Sequence, residues 1–195
     1  MKRKRVGVLI SGRGSNMAAL VEAARDPAYP AEIVCVVSNR PDAAGLKFAQ
    51  GQSISTHVID HKNFATRQAF DAVLNDYLQS QKLDLIACAG FMRIMSSVLL
   101  EPWAGKMINI HPSLLPQYKG THTHERALAD GVKVHGCSVH YVTEELDGGP
   151  IIARAEVPVL PGDTPETLSA RVLVEEHKLY PKALAIVARQ THPTL

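Results

Sequence analysis

Val6-Gly7-Val8-Leu9-Ile10, followed by Ser11-Gly12-Arg13-Gly14-Ser15-Asn16, decides the fold. The run from Arg5 to Ile10 is apolar at consecutive positions from Val6 onward instead of every second one, which is the pattern of a strand buried on both faces. The glycines then turn the chain, and a helical spacing from Asn16 to about Ala24 completes a strand, loop and helix. Working outward, Glu32 to Ser38 repeats the unit: Val34, Val36 and Val37 make a core strand, Asn39 to Asp42 turns, and Ala43 to about Gln50 is helical. Thr56 to Ile59 and Thr66 to about Gln79 form a third strand and helix. Leu83 to Ala89 is a fourth strand ending at Gly90, a short helix surrounds Ser96 to Leu100, and Lys106 to Ile110 is a fifth strand. Strands joined through helices are parallel and need cover on both faces.

Beyond a short helix at His124 to Asp130 the pattern changes. Gly136 to Val142 alternates, with Cys137, Val139 and Tyr141 opposite Ser138, His140 and Val142, and Ile151 to Val157 follows a Gly148-Gly149 turn. These two strands read as an antiparallel extension. Thr164 as N-cap and Pro165 at the first helical position start a long last helix, with Leu168, Val172, Leu179, Ala183, Ile186 and Val187 as its apolar stripe. The expected architecture is one α/β domain over residues 1–195, a doubly wound, mostly parallel sheet with helices on both faces and an antiparallel extension near the C-terminus.

Composition narrows the function classes. Lys and Arg total 21 against 19 Asp and Glu, a net charge of +2 that offers no argument for a nucleic-acid partner. The basic opening Lys2-Arg3-Lys4-Arg5 reads as a solvated overhang, since Val6 to Ile10 is too short for the apolar core of a signal peptide. No apolar run approaches the ~18 residues of a membrane span. Cys35, Cys88 and Cys137 are odd in number, widely spaced and set in apolar segments, which predicts reduced core thiols and a cytoplasmic protein. No residue pattern sets an oligomeric state.

Chemistry concentrates in Met107-Ile108-Asn109-Ile110-His111-Pro112. Period two puts Asn109 and His111 on one strand face, and Pro112 ends the strand there. An amide can donate to a developing oxyanion while an imidazole donates or relays a proton, the needs of acyl transfer. An isolated Asn-x-His also reads as an ordinary strand end, so catalysis needs a third group. Thr143-Glu144-Glu145-Leu146-Asp147-Gly148-Gly149 is an acidic loop closed by glycines, and a carboxylate near His111 would favour its charged form. Glu144 and Glu145 also read as solvated loop charges.

Ser11 to Asn16 has the unpaired backbone N–H groups of an anion site, and equally reads as a tight turn capped by Ser15 or Asn16. It lacks the last glycine of a dinucleotide fingerprint and the Gly-Lys-Ser/Thr of a P-loop. Gly90-Phe91-Met92-Arg93-Ile94-Met95 lies where a doubly wound sheet offers a crevice; alternatively, Met92 and Ile94 pack into the core. Glu176 falls within the stripe of the last helix, where a buried carboxylate needs partners. His122, His124, His135 and His140 show no recognised ligand spacing, so no metal is expected.

From about Val6 to Ala188 the chain resembles the folate-dependent formyltransferases, with Asn109, His111 and Asp147 matching their active-site signature in order. The resemblance is to the branch that formylates glycinamide ribonucleotide in purine synthesis. It implies a metal-free reaction with 10-formyltetrahydrofolate as cosubstrate, no tightly bound cofactor, and no membrane or nucleic-acid partner. It implies Asn109, His111 and Asp147 as catalytic residues. Gly14, Ser15 and Asn16 would hold the ribonucleotide phosphate and Glu176 its ribose hydroxyls. Arg67, Met92, Arg93, Ile94, Met95, Asn109 and the loop Thr143, Glu144, Glu145, Leu146 and Asp147 would surround the folate. The branches acting on methionyl-tRNA or hydrolysing the formyl donor are expected to carry a further domain. Gln117 to His122 also lacks the Arg-rich, Ala-Pro continuation associated with the tRNA branch. A non-catalytic nucleotide-binding module could use the Gly-Ser loop alone, without Asn109, His111 and Asp147.

Overall fold

The structure is a computed structural model that describes residues 2–190. Its strands are β1 (Lys4–Ile10), β2 (Ala31–Ser38), β3 (Ser55–Val58), β4 (Leu85–Cys88), β5 (Met107–His111), β6 (Val134–Tyr141) and β7 (Ile151–Pro158). They form one seven-stranded sheet in the order β3-β2-β1-β4-β5-β6-β7. Pairing is parallel from β3 to β5 and antiparallel from β5 through β7. The α-helices are α1 (Ser15–Ala24), α2 (Ala44–Gly51), α3 (Arg67–Ser80), α4 (Ser97–Leu100), α5 (Thr123–Ala129) and α6 (Pro165–Arg189).

Alternation along each strand splits the core in two. Val6, Val8 and Ile10 of β1, with Ile108 and Ile110 of β5, pack under Met17 and Leu20 of α1, Leu46 of α2, and Leu168, Val172 and Tyr180 of α6. Leu9, Ile86, Cys88 and Met107 face the other way, against Phe70, Leu74 and Leu78 of α3 and Leu99, Leu100 and Trp103 around α4. A doubly wound sheet results because each parallel crossover carries a helix whose apolar stripe needs a sheet face to cover it. The chain builds outward from β1 to β2 and β3, then returns to place β4 on the other side of β1. That switch opens a crevice beyond the carboxyl ends of β1 and β4.

Two expectations are corrected here. The basic opening is no free overhang: Lys4 and Arg5 are already in β1, and the Arg3 guanidinium donates to the carbonyl oxygens of Ala24 and Ala31, closing the end of α1 against the start of β2. Ile186 is 47% exposed, and the α6 stripe runs instead through Tyr180, Leu184 and Val187. A helix that advances 100° per residue rotates Ile186 out of the stripe once Ala183 and Val187 are in it. The start of α6 is as expected, with Thr164 Oγ1 accepting from the Thr167 N–H at 3.3 Å and Thr167 Oγ1 accepting from the Thr164 N–H at 2.9 Å.

Candidate active site

Asn109 and His111 project from β5 on the face occupied by Met107, and antiparallel pairing sets them opposite His140 and Ser138 of β6. Polar groups from two loops meet them there. His111 Nδ1 lies 3.4 Å from Asp147 Oδ2, and Nε2 lies 2.9 Å from the Tyr118 carbonyl oxygen. Both neighbours are acceptors, so the two ring nitrogens face a carboxylate on one side and a carbonyl on the other. The Asp147 carboxylate also accepts the Gly120 N–H at 2.8 Å, and its other oxygen is 3.6 Å from His140 Nε2. Asp147 has φ 50°, a left-handed conformation that Asp tolerates better than most residues. Gly149 lets the loop return: a Cβ there would lie on the Tyr141 carbonyl oxygen.

His140 belongs to this cluster and is the residue that motif reasoning missed. Its Nδ1 donates to the Tyr141 carbonyl at 2.9 Å, leaving Nε2 to accept from Asn109 Nδ2 at 3.2 Å. Burial keeps this ring neutral by lowering its pKa, against the opposing effects of the Tyr141 carbonyl and Asp147. The contact orients the Asn109 amide and leaves its second N–H free to donate. The alternation of β6 placed His140 opposite Cys137, Val139 and Tyr141, but only the β5–β6 register shows that it faces Asn109.

At the sheet's switch point, a cavity of about 620 Å³ lies over the Gly-Ser loop, bounded by Ser11 to Asn16, Asn39, Arg40, His61, Ala89, Gly90, Met92, Arg93 and Leu173. Gly14 has φ 72°, and a Cβ on it would stand 2.8 Å from Met17 Cε and 3.0 Å from Gly45 Cα. Asn16 Nδ2 donates to Glu176 Oε2 at 2.7 Å, so the structure joins two of the ribonucleotide candidates. Burial raises the Glu176 pKa and the Asn16 hydrogen bond lowers it. Asn16 Oδ1 and Arg93 Nε are buried without a protein partner, an acceptor and a donor left open. The Asn109, His111 and Asp147 cluster does not line this cavity.

The remaining folate candidates are dispersed. Met92 and Ile94 are 70% and 57% exposed, which excludes their packing into the core. The Arg93 guanidinium stands 5.6 Å from the Phe70 ring centre. Arg67 is exposed at the start of α3, where Thr66 caps the helix by accepting from the Ala69 N–H at 3.1 Å. Glu144, Glu145 and Leu146 are exposed, and Glu145 pairs with Lys119 at 2.6 Å. Thr143 and Met95 are half-buried. Among the described residues no group of three or more His, Cys, Asp or Glu could hold a metal ion, and no helix is long and apolar enough to cross a membrane.

The formyl transferase family model matches residues 4–184. The chain is 50% identical over 187 residues to trifunctional purine biosynthetic protein adenosine-3 of Bos taurus, covering 96% of this chain and 18% of that protein. It is 44% identical over 178 residues to phosphoribosylglycinamide formyltransferase of Escherichia coli, covering 91% of this chain and 84% of that protein. The chain thus spans less than a fifth of its trifunctional relatives and most of the bacterial one. The crystal structure of phosphoribosylglycinamide formyltransferase from Brucella melitensis is similar at TM-score 0.93 and 50% identity, covering 100% of both chains. Since the family match runs from the first strand well into the last helix and the same fold recurs in that structure, the chain belongs to the formyl transferase family.

Proposed function

We propose that this enzyme transfers the formyl group of 10-formyltetrahydrofolate to the amine of glycinamide ribonucleotide, a step of purine synthesis that yields the N-formyl product and tetrahydrofolate. The observation that carries the reading is the meeting of Asn109, His111 and Asp147 from β5 and the loop after β6, with His111 buried between a carboxylate and a carbonyl. The neutral substrate amine attacks the formyl carbon, and negative charge develops on the formyl oxygen. The free N–H of Asn109 and the protonated His111 donate to that oxygen. For His111 to do so, the oxygen takes the place of the Tyr118 carbonyl at Nε2, while Asp147 keeps Nδ1 charged and oriented. A proton then passes from the new ammonium to the folate nitrogen through His111 or a water held by Asp147, and the C–N bond to tetrahydrofolate breaks.

Supporting the ribonucleotide end, Gly14, Ser15 and Asn16 border a cavity at a helix N-terminus, where backbone N–H groups and the helix dipole favour a phosphate. Glu176 beside Asn16 offers carboxylate oxygens to ribose hydroxyls. Arg67, Met92 to Met95 and Thr143 to Asp147 are read as the folate side. The substrates are small molecules, and no tightly bound cofactor enters the scheme. The chain is read as a single cytoplasmic domain over residues 1–195.

Incubation with 10-formyltetrahydrofolate, with and without glycinamide ribonucleotide, tests the reading by following tetrahydrofolate release and formylated product. Release that requires the ribonucleotide and matches product formation is expected. Equal release without it would overturn the proposal and identify a hydrolase.

A further inference from the structure

We propose that Ser11 and Asp71 are positioning residues for the folate side, anchoring the two ends of the segment Met92–Met95. The inference rests on the reading of that segment as folate-contacting.

Between β4 and α4 the chain has no regular structure, and the exposed side chains of Met92 and Ile94 do not pin it to the core. Among the described residues, the backbone N–H and C=O groups of Arg93, Ile94 and Met95 have no hydrogen-bond partner in the protein. Such a segment offers open donors and acceptors to the edge of a planar heterocycle, provided that its ends are held.

Two buried side chains hold them. Ser11 Oγ accepts the Met92 N–H at 2.8 Å and donates to Asn39 Oδ1 at 2.6 Å, while the Ser11 N–H donates to the Gly90 carbonyl at 3.1 Å. Ser11 and Asn39 are buried, so this hydroxyl is fixed in both its donating and accepting roles. Sequence position assigns Ser11 to the phosphate loop; its hydrogen bonds assign it to the neighbouring segment. At the other end, Asp71 of α3 is buried, and its Oδ2 accepts both the N–H and the Oγ–H of Ser96 at 2.6 Å. Ser96 stands at the N-cap of α4, but its hydroxyl makes no capping bond and is turned to Asp71 instead. A buried carboxylate that directs both bonds to one loop residue fixes the end of that loop more firmly than a neutral acceptor would.

The test compares Ser11→Ala, Ser11→Thr, Asp71→Asn and Ser96→Ala with the unaltered enzyme. Ser11→Ala and Asp71→Asn are expected to raise the KM for 10-formyltetrahydrofolate and the Kd for tetrahydrofolate roughly five- to twentyfold, the effect of losing one or two buried hydrogen bonds. The kcat should stay within about twofold in both, and in Asp71→Asn, which lies off the ribonucleotide cavity, so should the KM for glycinamide ribonucleotide. Ser11→Thr, which keeps the hydroxyl, should restore folate affinity, and Ser96→Ala should show a smaller loss than Asp71→Asn. Amide hydrogen exchange of the ligand-free protein gives a readout independent of turnover: the Met92 amide should exchange faster in Ser11→Ala, and the Ser96 amide faster in Asp71→Asn. Unchanged exchange, or a rise confined to the ribonucleotide KM, would overturn the inference. An unaltered enzyme that binds no tetrahydrofolate, with exchange responding as expected, would instead overturn the functional reading of the segment.

Discussion

At the Gly-Ser loop the site is made largely from backbone: a left-handed glycine, the start of α1 and an open cavity. Around His111 it is made from side chains drawn from β5, β6 and the loop after β6, buried or half-buried and set within 4 Å of one another. The difference teaches which changes each end can bear. A backbone site fails when conformation fails, whereas a side-chain cluster fails when one donor or charge is removed from an intact fold.

The largest effect is expected at Asn109 and His111. Loss of one preorganised donor costs ~2.7 to 4 kcal/mol, so each alanine variant should lose roughly two to three orders of magnitude in turnover. The double variant should lose less than the product of the two, because both act on one oxygen. Single-turnover kinetics with circular dichroism as a fold control measures this; wild-type turnover in either single variant breaks the assignment, and fully multiplicative losses break the shared oxygen.

Asp147→Asn should follow, lowering turnover by roughly tenfold to a hundredfold, the worth of a hydrogen bond to a charged group. Asn tolerates the left-handed conformation at this position, so the fold should survive. His111 loses the carboxylate that faces its Nδ1, and single-turnover kinetics with circular dichroism as a fold control measures the effect. An unchanged rate would remove Asp147 from the mechanism.

Gly14→Val tests the backbone end. It should weaken ribonucleotide binding about tenfold or more and folate binding little, because a β-branched residue is strained at positive φ. Its side chain would also press on Gly45 and Met17 and shift the loop, in addition to obstructing a phosphate. Calorimetric titration of both ligands would show equal losses if the two ends were not separable.

The smallest effect concerns acid stability. Burial lowers the pKa values of His124, His135, His140 and His177 from 6.5, that of His135 to about 4. Between those values the unfolded chain binds more protons than the folded one, so these groups withdraw stability as pH falls through about 6.5 toward 4. Urea unfolding across this window should show a progressive loss, and a flat profile would break the link between histidine burial and stability. Protonated His140 would also cease to accept from Asn109, so the side-chain end should lose order before the Gly-Ser loop does.

Periodicity and turn chemistry identified the strands and α-helices around the site but not the 3-10 helix His61–Asn63, because apolar spacing reports which faces a segment must bury. Gly14, Asn16, Asn109 and His111 stood out as candidates for a related reason: each stands at the junction of an apolar run and a turn, where a sheet presents its side chains and backbone groups. Asp147 stood out less, since one carboxylate in the run Glu144, Glu145 and Asp147 looks much like another until the loop folds over β5. Arg3 and Ile186 were misjudged because each depended on its neighbours in three dimensions: two carbonyls awaiting a donor, and the rotation of a helix on its sheet.

The local sequence by itself therefore determined the strand and helix order, the placing of Asn109 and His111 on one face of β5 and the glycine turn between β1 and α1, all set by interactions a few residues apart. Only the tertiary structure decided that His140 orients Asn109, that Tyr118 and Asp147 enclose His111, that Asn16 meets Glu176, and that Ser11 bonds to Met92. Those contacts depend on strand register and loop docking. A shift of one residue would turn each side chain of a strand to the opposite face, so no local pattern could have specified them.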